Sequence, residues 1–262
     1  MQIKRVLRQV ILAFSVALLG AASFSASAQT PAKKEFKDPE SCLECHDDML
    51  DEKVIHQAIQ DGCLDCHSNI ETGTRPHKYT GDLKYGLDAE QTKLCLGCHG
   101  KLLGKKSNVH KAIEKDGCIA CHEPHSGKHK KLLKAALPAL CITCHKKEGF
   151  NGAVMHKPVQ EGKCADCHDN HASDLPLLLR KQPVETCLEC HKEIKDQPHV
   201  VSSFTRKGHP LGDEAQKAPD PLRPGKTFYC GSCHEPHRSE FKKLVRIDPK
   251  LGMMSCQKCH EK

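Results

Sequence analysis

Cysteine and histidine occur together in one short pattern that recurs along the chain. All 18 cysteines fall into nine copies of Cys-x-x-Cys-His, and no cysteine is left over. Two thiols spaced by three residues lie on one face of a helical turn, and a histidine directly after them can present a ring nitrogen to a metal. This is the attachment signature of c-type haem, in which the thiols bond the two vinyl groups of the porphyrin. The predicted attachment residues are Cys42, Cys45, Cys63, Cys66, Cys95, Cys98, Cys118, Cys121, Cys141, Cys144, Cys164, Cys167, Cys187, Cys190, Cys230, Cys233, Cys256 and Cys259.

The histidine that ends each motif is the predicted proximal ligand of a haem iron. A disulfide scaffold does not require a histidine after every second cysteine, and zinc modules do not repeat this placement nine times. Iron–sulfur spacings are absent from the sequence. The sequence therefore predicts nine covalently bound haem c groups. In chain order, motifs 1 to 9 end in His46, His67, His99, His122, His145, His168, His191, His234 and His260.

Ten further histidines lie outside the motifs at recurring positions. Three of them precede a motif by seven or eight residues, and three others follow a motif histidine by three, as His125 does in His-Glu-Pro-His. Such regular placement predicts a second histidine on each iron. Ten histidines exceed nine irons by one, and the surplus is His129 or His199. We favour His129 as the surplus because it lies among lysines. The predicted distal ligands are then His56, His77, His110, His125, His156, His171, His199, His209 and His237.

The motifs form a two-haem repeat with a further haem in front. Motifs 3 to 7 start 23 residues apart, which indicates a repeat architecture. We define repeats 1 to 4 as residues 56–99, 110–145, 156–191 and 209–262, preceded by an N-terminal segment, 29–55, that holds motif 1. Residues 192–229 form a proline-rich connection, which excludes a long helix there and is either an ordered wrap or a hinge.

The first 28 residues have the three parts of a secretory signal. Lys4, Arg5 and Arg8 form a positive start, an apolar run follows, and Ala26-Ser27-Ala28 is a small-residue cleavage site. We therefore predict cleavage after residue 28 and a periplasmic or otherwise exported protein without an integral membrane span.

Composition predicts short α-helices and loops wrapped around a chain of stacked haems, with little or no β-sheet. The chain has no Trp and 4% aromatic residues, which leaves a conventional core of this size short of large side chains. The porphyrins must then serve as the core, and the haem-free chain should be largely unfolded. The net charge of +7 does not indicate nucleic-acid binding, because basic and aromatic residues are not interleaved.

The arrangement resembles the doubled Cys-x-x-Cys-His multihaem c-type cytochrome family. Residues 117–125, Gly-Cys-Ile-Ala-Cys-His-Glu-Pro-His, and the matching string 229–237 carry this resemblance. It is also similar to periplasmic multihaem cytochromes of porin–cytochrome conduits, from which it departs in having nine haems rather than ten and a shorter chain. The resemblance implies electron transfer between an inner-membrane quinol-oxidising cytochrome and an outer-membrane or extracellular acceptor.

Function is therefore predicted as extracytoplasmic electron transfer along bis-histidine haems, without a catalytic site. One alternative is a multihaem oxidoreductase in which one open haem acts on a small nitrogen or sulfur compound. That enzyme needs an iron with an exchangeable ligand position. However, all nine motifs end in His, and the ten candidate distal histidines outnumber the nine predicted irons. The other alternative is a filament of stacked copies, since motif 9 lies close to the last residue of the sequence.

Overall fold

A computed structural model describes residues 40–146, 150, 152–195 and 217–260. Contacts divide the chain into residues 1–35 and 36–262, and the second unit holds every described residue. The predicted signal segment, residues 1–28, lies outside the described residues. So do His199 and His209.

Short helices make up most of the regular structure in the described ranges. Every motif overlaps one of them, which confirms the predicted helical turns at the attachment sites. The α-helices are α1 Glu40–Leu43, α2 Gln57–Asp61, α3 Gln91–His99, α4 Lys111–Asp116, α5 Ala139–Ile142, α6 Lys157–Gln160, α7 Cys164–Cys167, α8 Pro183–Leu188 and α9 Cys230–Cys233. The 3-10 helices span Asp47–Leu50, Cys63–Asp65, Lys84–Gly86, Cys118–Ala120, Lys130–Leu132, Pro176–Leu178, Lys192–Lys195, Lys242–Leu244 and Pro249–Lys258.

Glycine ends the helix that precedes motif 4. Gly117 follows α4 with φ of 73°, a left-handed conformation that side chains disfavour. Its N–H donates to the carbonyl of Ile113, which satisfies a carbonyl at the helix end. The chain then turns directly into the 3-10 helix that carries Cys118.

Two-residue strands tie successive repeats together. They are β1 Val54–Ile55, β2 Ile70–Glu71, β3 Lys78–Tyr79, β4 Asn108–Val109, β5 Ser126–Gly127, β6 Val154–Met155, β7 Ala172–Ser173 and β8 Arg238–Ser239. All four pairs are antiparallel: β1 with β5, β4 with β7, β6 with β8, and β2 with its neighbour β3. In three of these pairs, the strand that directly precedes a repeat joins a strand within the following repeat.

Side chains bury each other very little in this architecture. Within the described ranges the buried apolar residues are Ile59, Ala172 and Phe228, and no large side chain is fully buried. Short helices and loops with very small sheets confirm the predicted fold class. No helix among the described residues is both long and apolar enough to cross a bilayer.

Candidate haem sites

Each motif forms a compact turn that places its two thiols together. The N–H of the motif histidine donates to the carbonyl of the first cysteine, at 2.9 Å for His46 and Cys42 and at 3.1 Å for His122 and Cys118. All 18 cysteines lie in the described ranges, and every one is a free thiol. The structure therefore contains the thiols that covalent attachment requires.

Seven motif histidines each face one histidine from outside the motifs. The ring centres lie 6.0–6.2 Å apart, and the angles between the ring planes are 16–36°. The pairs are His46 with His77, His67 with His125, His99 with His56, His122 with His171, His145 with His110, His168 with His237, and His191 with His156.

This spacing fits two imidazoles on opposite sides of one haem iron. An imidazole nitrogen binds a transition metal at about 2.0–2.1 Å, so the centres of two opposed rings lie roughly 6 Å apart. Each pair also has the thiols of its own motif beside it. The residues therefore fit covalently attached haem c at these seven positions.

Hydrogen bonds at Nδ1 orient the histidine of the first motif in each repeat. The Nδ1–H of His67 donates to the carbonyl of Tyr85 at 2.7 Å. The equivalent bonds join His122 to Lys131, His168 to Leu177 and His234 to Lys243, at 2.7–2.8 Å. Because Nδ1 carries the proton, Nε2 is left with its lone pair free for a metal.

A two-residue left-handed turn supplies those carbonyls. In repeats 2 to 4 the turn residues are not glycine, although φ lies between 56° and 59° at Lys131, Leu132, Leu177, Leu178, Lys243 and Leu244. In repeat 1 the turn is Tyr85-Gly86, with φ of 62° and 64°. Non-glycine residues rarely adopt this conformation, so the turn indicates a constraint at the proximal histidine.

The strand pairs between repeats present the distal histidines. The N–H of His56 donates to the carbonyl of His125 at 2.7 Å, just beyond the β1–β5 ladder. The Nδ1–H of His56 donates to the carbonyl of Pro124 at 2.8 Å, which again frees Nε2. His56 faces His99 and His125 faces His67, so this one ladder serves both motifs of repeat 1. The β4–β7 and β6–β8 ladders repeat the arrangement for repeats 2 and 3.

An insertion in repeat 1 provides the partner of His46. The motif histidine and its carbonyl acceptor are 18 residues apart in repeat 1 but 9 apart in the later repeats. The extra residues form the β2–β3 hairpin. His77 lies directly before β3 and faces His46. The hairpin thus lets repeat 1 serve the single motif in front of it.

Of the predicted distal ligands, seven are found in these pairs. The prediction for His199 and His209 lies outside the described residues. His234 and His260 make further contacts in the structure. His129 belongs to none of the seven pairs and precedes the 3-10 helix of Lys130–Leu132. That it is the surplus histidine stays a prediction.

Thiols of neighbouring motifs lie close together. The first thiols meet between repeats, through hydrogen bonds of Cys95 with Cys118, Cys141 with Cys164, and Cys187 with Cys230. Burial and then Cys118 raise the pKa of Cys95 to about 11. Within a repeat the second thiols interact electrostatically. Burial is the largest cause that raises the pKa of the first-named thiol, and its partner raises it further, in the pairs Cys66 and Cys98, Cys121 and Cys144, Cys167 and Cys190, and Cys233 and Cys259. Motifs 2 to 9 therefore form one continuous run in chain order.

Burial favours the neutral form of several distal histidines. It is the main cause that lowers the pKa of His110, His125, His171 and His237. A neutral imidazole is the form that binds a metal. Phe150 packs its edge against His237, with ring centres 5.6 Å apart.

A buried ion pair anchors the chain in front of motif 8. The carboxylate of Asp220 is 1% exposed and accepts from Arg223 Nε at 2.6 Å. Arg223 also donates to Ser232 Oγ, inside motif 8, at 3.0 Å. Burial disfavours the charge of Asp220, but hydrogen bonds from Ser232, Arg223 and the N–H of Leu222 hold its pKa below the ordinary value.

Sequence reasoning did not identify which repeat supplies each distal histidine, or the carbonyls at Nδ1. The recurring Leu-Leu segments after motifs 4 and 6 were the available signal, since they form part of the left-handed turn. Among the described residues, no other repeat has a buried ion pair in front of its first motif, since those of Glu161 before motif 6 are exposed. Nothing in the sequence singled out Asp220 and Arg223.

Comparison with known families gives four matches along the chain. The family described as "Doubled CXXCH motif" matches residues 56–104, 110–150, 156–196 and 220–262, which is well over half of the sequence. The first three matches begin at the same residues as repeats 1 to 3, and the fourth begins at 220, within repeat 4. No curated protein matches the chain.

Proposed function

The chain belongs to the doubled CXXCH family of multihaem c-type cytochromes, and on that basis we propose that it is an exported nine-haem electron carrier. In this proposal every iron is held by two histidines. The haem groups, when bound, supply the chemistry by cycling between ferric and ferrous iron. The polypeptide attaches them, orients their ligands and sets their order.

The observation that carries the proposal is the set of seven histidine pairs. Each pair joins a motif histidine to one from outside the motifs, at the spacing of two ligands on a shared metal. An enzyme needs at least one iron with an exchangeable position. Seven sites with both axial positions assigned support an electron carrier without a catalytic site.

His209 and His199 are the proposed distal ligands for motifs 9 and 8. In repeats 1 to 3, the histidine at the start of the repeat faces the second motif of that repeat, as His156 faces His191. By this rule His209 pairs with His260. His199 then pairs with His234, which completes nine bis-histidine sites.

The order of the attachment sites supports a linear path for electrons. Interactions between thiols join motifs 2 to 9 in chain order: electrostatic ones between the second thiols of a repeat, and hydrogen bonds between the first thiols of adjacent repeats. Electrons would enter near one end of this run and leave near the other.

Resemblance to periplasmic conduit cytochromes supports the proposed partners. We place an inner-membrane quinol-oxidising cytochrome upstream and an outer-membrane or extracellular acceptor downstream. Covalent haem c attachment and the signal-like first 28 residues support an extracytoplasmic location.

The decisive experiment combines mass spectrometry with spectroscopy of the holoprotein. The intact mass should correspond to the chain from Gln29 to Lys262 with nine haems. Low-temperature EPR of the oxidised protein should show low-spin iron, and the reduced protein should not bind carbon monoxide. A smaller haem complement would contradict the nine-haem proposal, and a high-spin haem that binds carbon monoxide would favour an enzyme.

A further inference from the structure

One position in each repeat lies beside the second cysteine of the first motif. Its backbone N–H donates to the carbonyl of the second cysteine: Asp88 to Cys66, Lys134 to Cys121, Arg180 to Cys167 and Arg246 to Cys233, at 2.9–3.0 Å. Because the backbone is fixed in the same way, the four side chains start from equivalent places. Three are cations, and the one in repeat 1 is a carboxylate.

Repeat 1 surrounds this site with negative charge. Asp65 lies between the cysteines of motif 2, and Asp88 is held by a hydrogen bond from Ser68 Oγ at 2.9 Å. Asp65 directly precedes Cys66 in the sequence, and the backbone of Asp88 is hydrogen-bonded to the Cys66 carbonyl at 3.0 Å. Both carboxylates therefore lie beside the second cysteine of motif 2.

Repeat 2 presents the opposite charge at the same place. Ile119 and Ala120 lie between the cysteines of motif 4, so no carboxylate is present there. The backbone of Lys134 is hydrogen-bonded to the Cys121 carbonyl at 2.9 Å. Repeat 2 therefore places an ammonium group where repeat 1 places a carboxylate, with Glu123 as the acidic residue that follows motif 4.

Repeats 3 and 4 are mixed. Arg180 donates to the carbonyl of Ala165 at 3.0 Å, but Asp166 lies between the cysteines of motif 6. In repeat 4, Arg246 pairs with Glu235. Repeats 1 and 2 therefore give the clearest contrast in charge.

We propose that this contrast sets the direction of electron flow: Asp65 and Asp88 hold the haem pair of repeat 1 at a lower reduction potential than Lys134 gives the pair of repeat 2. Ferric haem carries one more positive charge than ferrous haem. A nearby carboxylate stabilises the ferric form and a nearby ammonium favours the ferrous form. Electrons therefore pass from repeat 1 to repeat 2 with a favourable driving force. This inference rests on the proposed electron-carrier function.

The test is a potentiometric titration of the full holoprotein, followed by its absorbance, with charge variants at the two positions. Asp88→Asn and Asp88→Lys should raise the potentials of about two haem equivalents, with the lysine variant shifting them about twice as far. Lys134→Asp should lower about two equivalents. The haems whose potentials change in the Asp88 variants should titrate at lower potentials in the wild-type protein than the haems that change in Lys134→Asp.

Matched controls separate charge from structure. Asp88→Glu keeps the charge, and Ser68→Ala removes the hydrogen bond to Asp88 while the carboxylate stays. Both should titrate like wild type. Haem stoichiometry and the low-spin EPR signal are measured on the wild-type protein and on every variant. Missing or high-spin haems in the wild-type protein would contradict the proposed function and not this inference. Two results would overturn this inference. One is unchanged reduction potentials in Asp88→Lys and Lys134→Asp with full low-spin haem. The other is that the haems affected by the Asp88 variants have higher potentials than those affected by Lys134→Asp.

Discussion

His125 faces His67 with ring centres 6.0 Å apart, although it follows His122 by only three residues. The two neighbours in sequence thus belong to different metal sites in different repeats. His122 faces His171, which comes from the repeat after its own. Repeats 2 to 4 therefore each supply the histidine that faces the first motif of the repeat before, and an isolated repeat would lack that partner.

Replacing His125 with alanine should open the iron of motif 2 and leave that of motif 4 closed. We expect one haem equivalent to become high-spin and to bind carbon monoxide when reduced, since His67 would be its remaining axial ligand. EPR and carbon monoxide difference spectra measure both effects. His129→Ala is the control and should leave all haems low-spin. A high-spin haem in the control, or none in His125→Ala, would contradict the assignment of ligands.

The haem attachment residues and the fold class could be predicted from the sequence because both depend on local pattern. Each of the nine motifs specifies a short turn. Because aromatic residues make up only 4% of the chain, the side chains are too small to form a large hydrophobic core. The candidate distal histidines also followed from regular spacing. Seven of them face a motif histidine in the structure.

The pairing of ligands could not be predicted, because it depends on contacts between repeats. His110 and His125 lie on either side of motif 4 in the sequence, yet neither faces His122. His110 faces His145 and His125 faces His67. The two-residue strands that cause this exchange are too short to leave a hydrophobic pattern.

Gly86 should not tolerate a side chain. Its φ is 64°, and a Cβ would lie 2.6 Å from the carbonyl oxygen of Asn69. Gly86→Ala should lower the free energy of unfolding by about 1–3 kcal/mol and displace the Tyr85 carbonyl from His67. Denaturant unfolding of the holoprotein followed by circular dichroism measures this loss. Gly73→Ala is the matched control, since nothing lies within 4 Å of its Cβ, and equal losses in both variants would disprove the steric argument.

The Asp220–Arg223 pair should contribute substantially to the stability of repeat 4. Asp220→Ala leaves a partly buried guanidinium without its carboxylate, which costs about 3 kcal/mol or more. Glu240→Ala breaks the exposed pair with Arg238 and should cost less than about 1 kcal/mol. The pKa of Asp220 is lowered in the folded protein. Its contribution is therefore complete above the ordinary carboxyl pKa and is lost as the pH falls through the lowered value.

Urea unfolding of these two variants at neutral and acidic pH provides the measurement. The difference between Asp220→Ala and wild type should be largest at neutral pH and should shrink in acid, whereas that of Glu240→Ala should be small throughout. A difference for Asp220→Ala that grows in acid would show that the carboxylate does not stabilise the fold in its charged form.

A serine hydroxyl supports the left-handed turn in repeats 3 and 4 but not in repeat 2. Ser239 Oγ donates to the carbonyl of Val245 at 2.6 Å and accepts from the N–H of Phe241 at 3.0 Å. Ser173 makes the equivalent bonds. In repeat 2 the residue is Gly127, where a Cβ would have ordinary contacts of 3.7 Å. Repeat 2 therefore has room for the hydroxyl.

Gly127→Ser should therefore stabilise the protein by about 1 kcal/mol, because one hydroxyl would bridge the carbonyl of Leu133 and the N–H of His129. Gly127→Ala should give a smaller gain, since it restricts the unfolded chain without adding a hydrogen bond. Thermal unfolding of the two holoprotein variants separates these contributions. If the serine variant is no more stable than the alanine variant, the hydroxyl does not support the turn in repeat 2 as it does at Ser173 and Ser239.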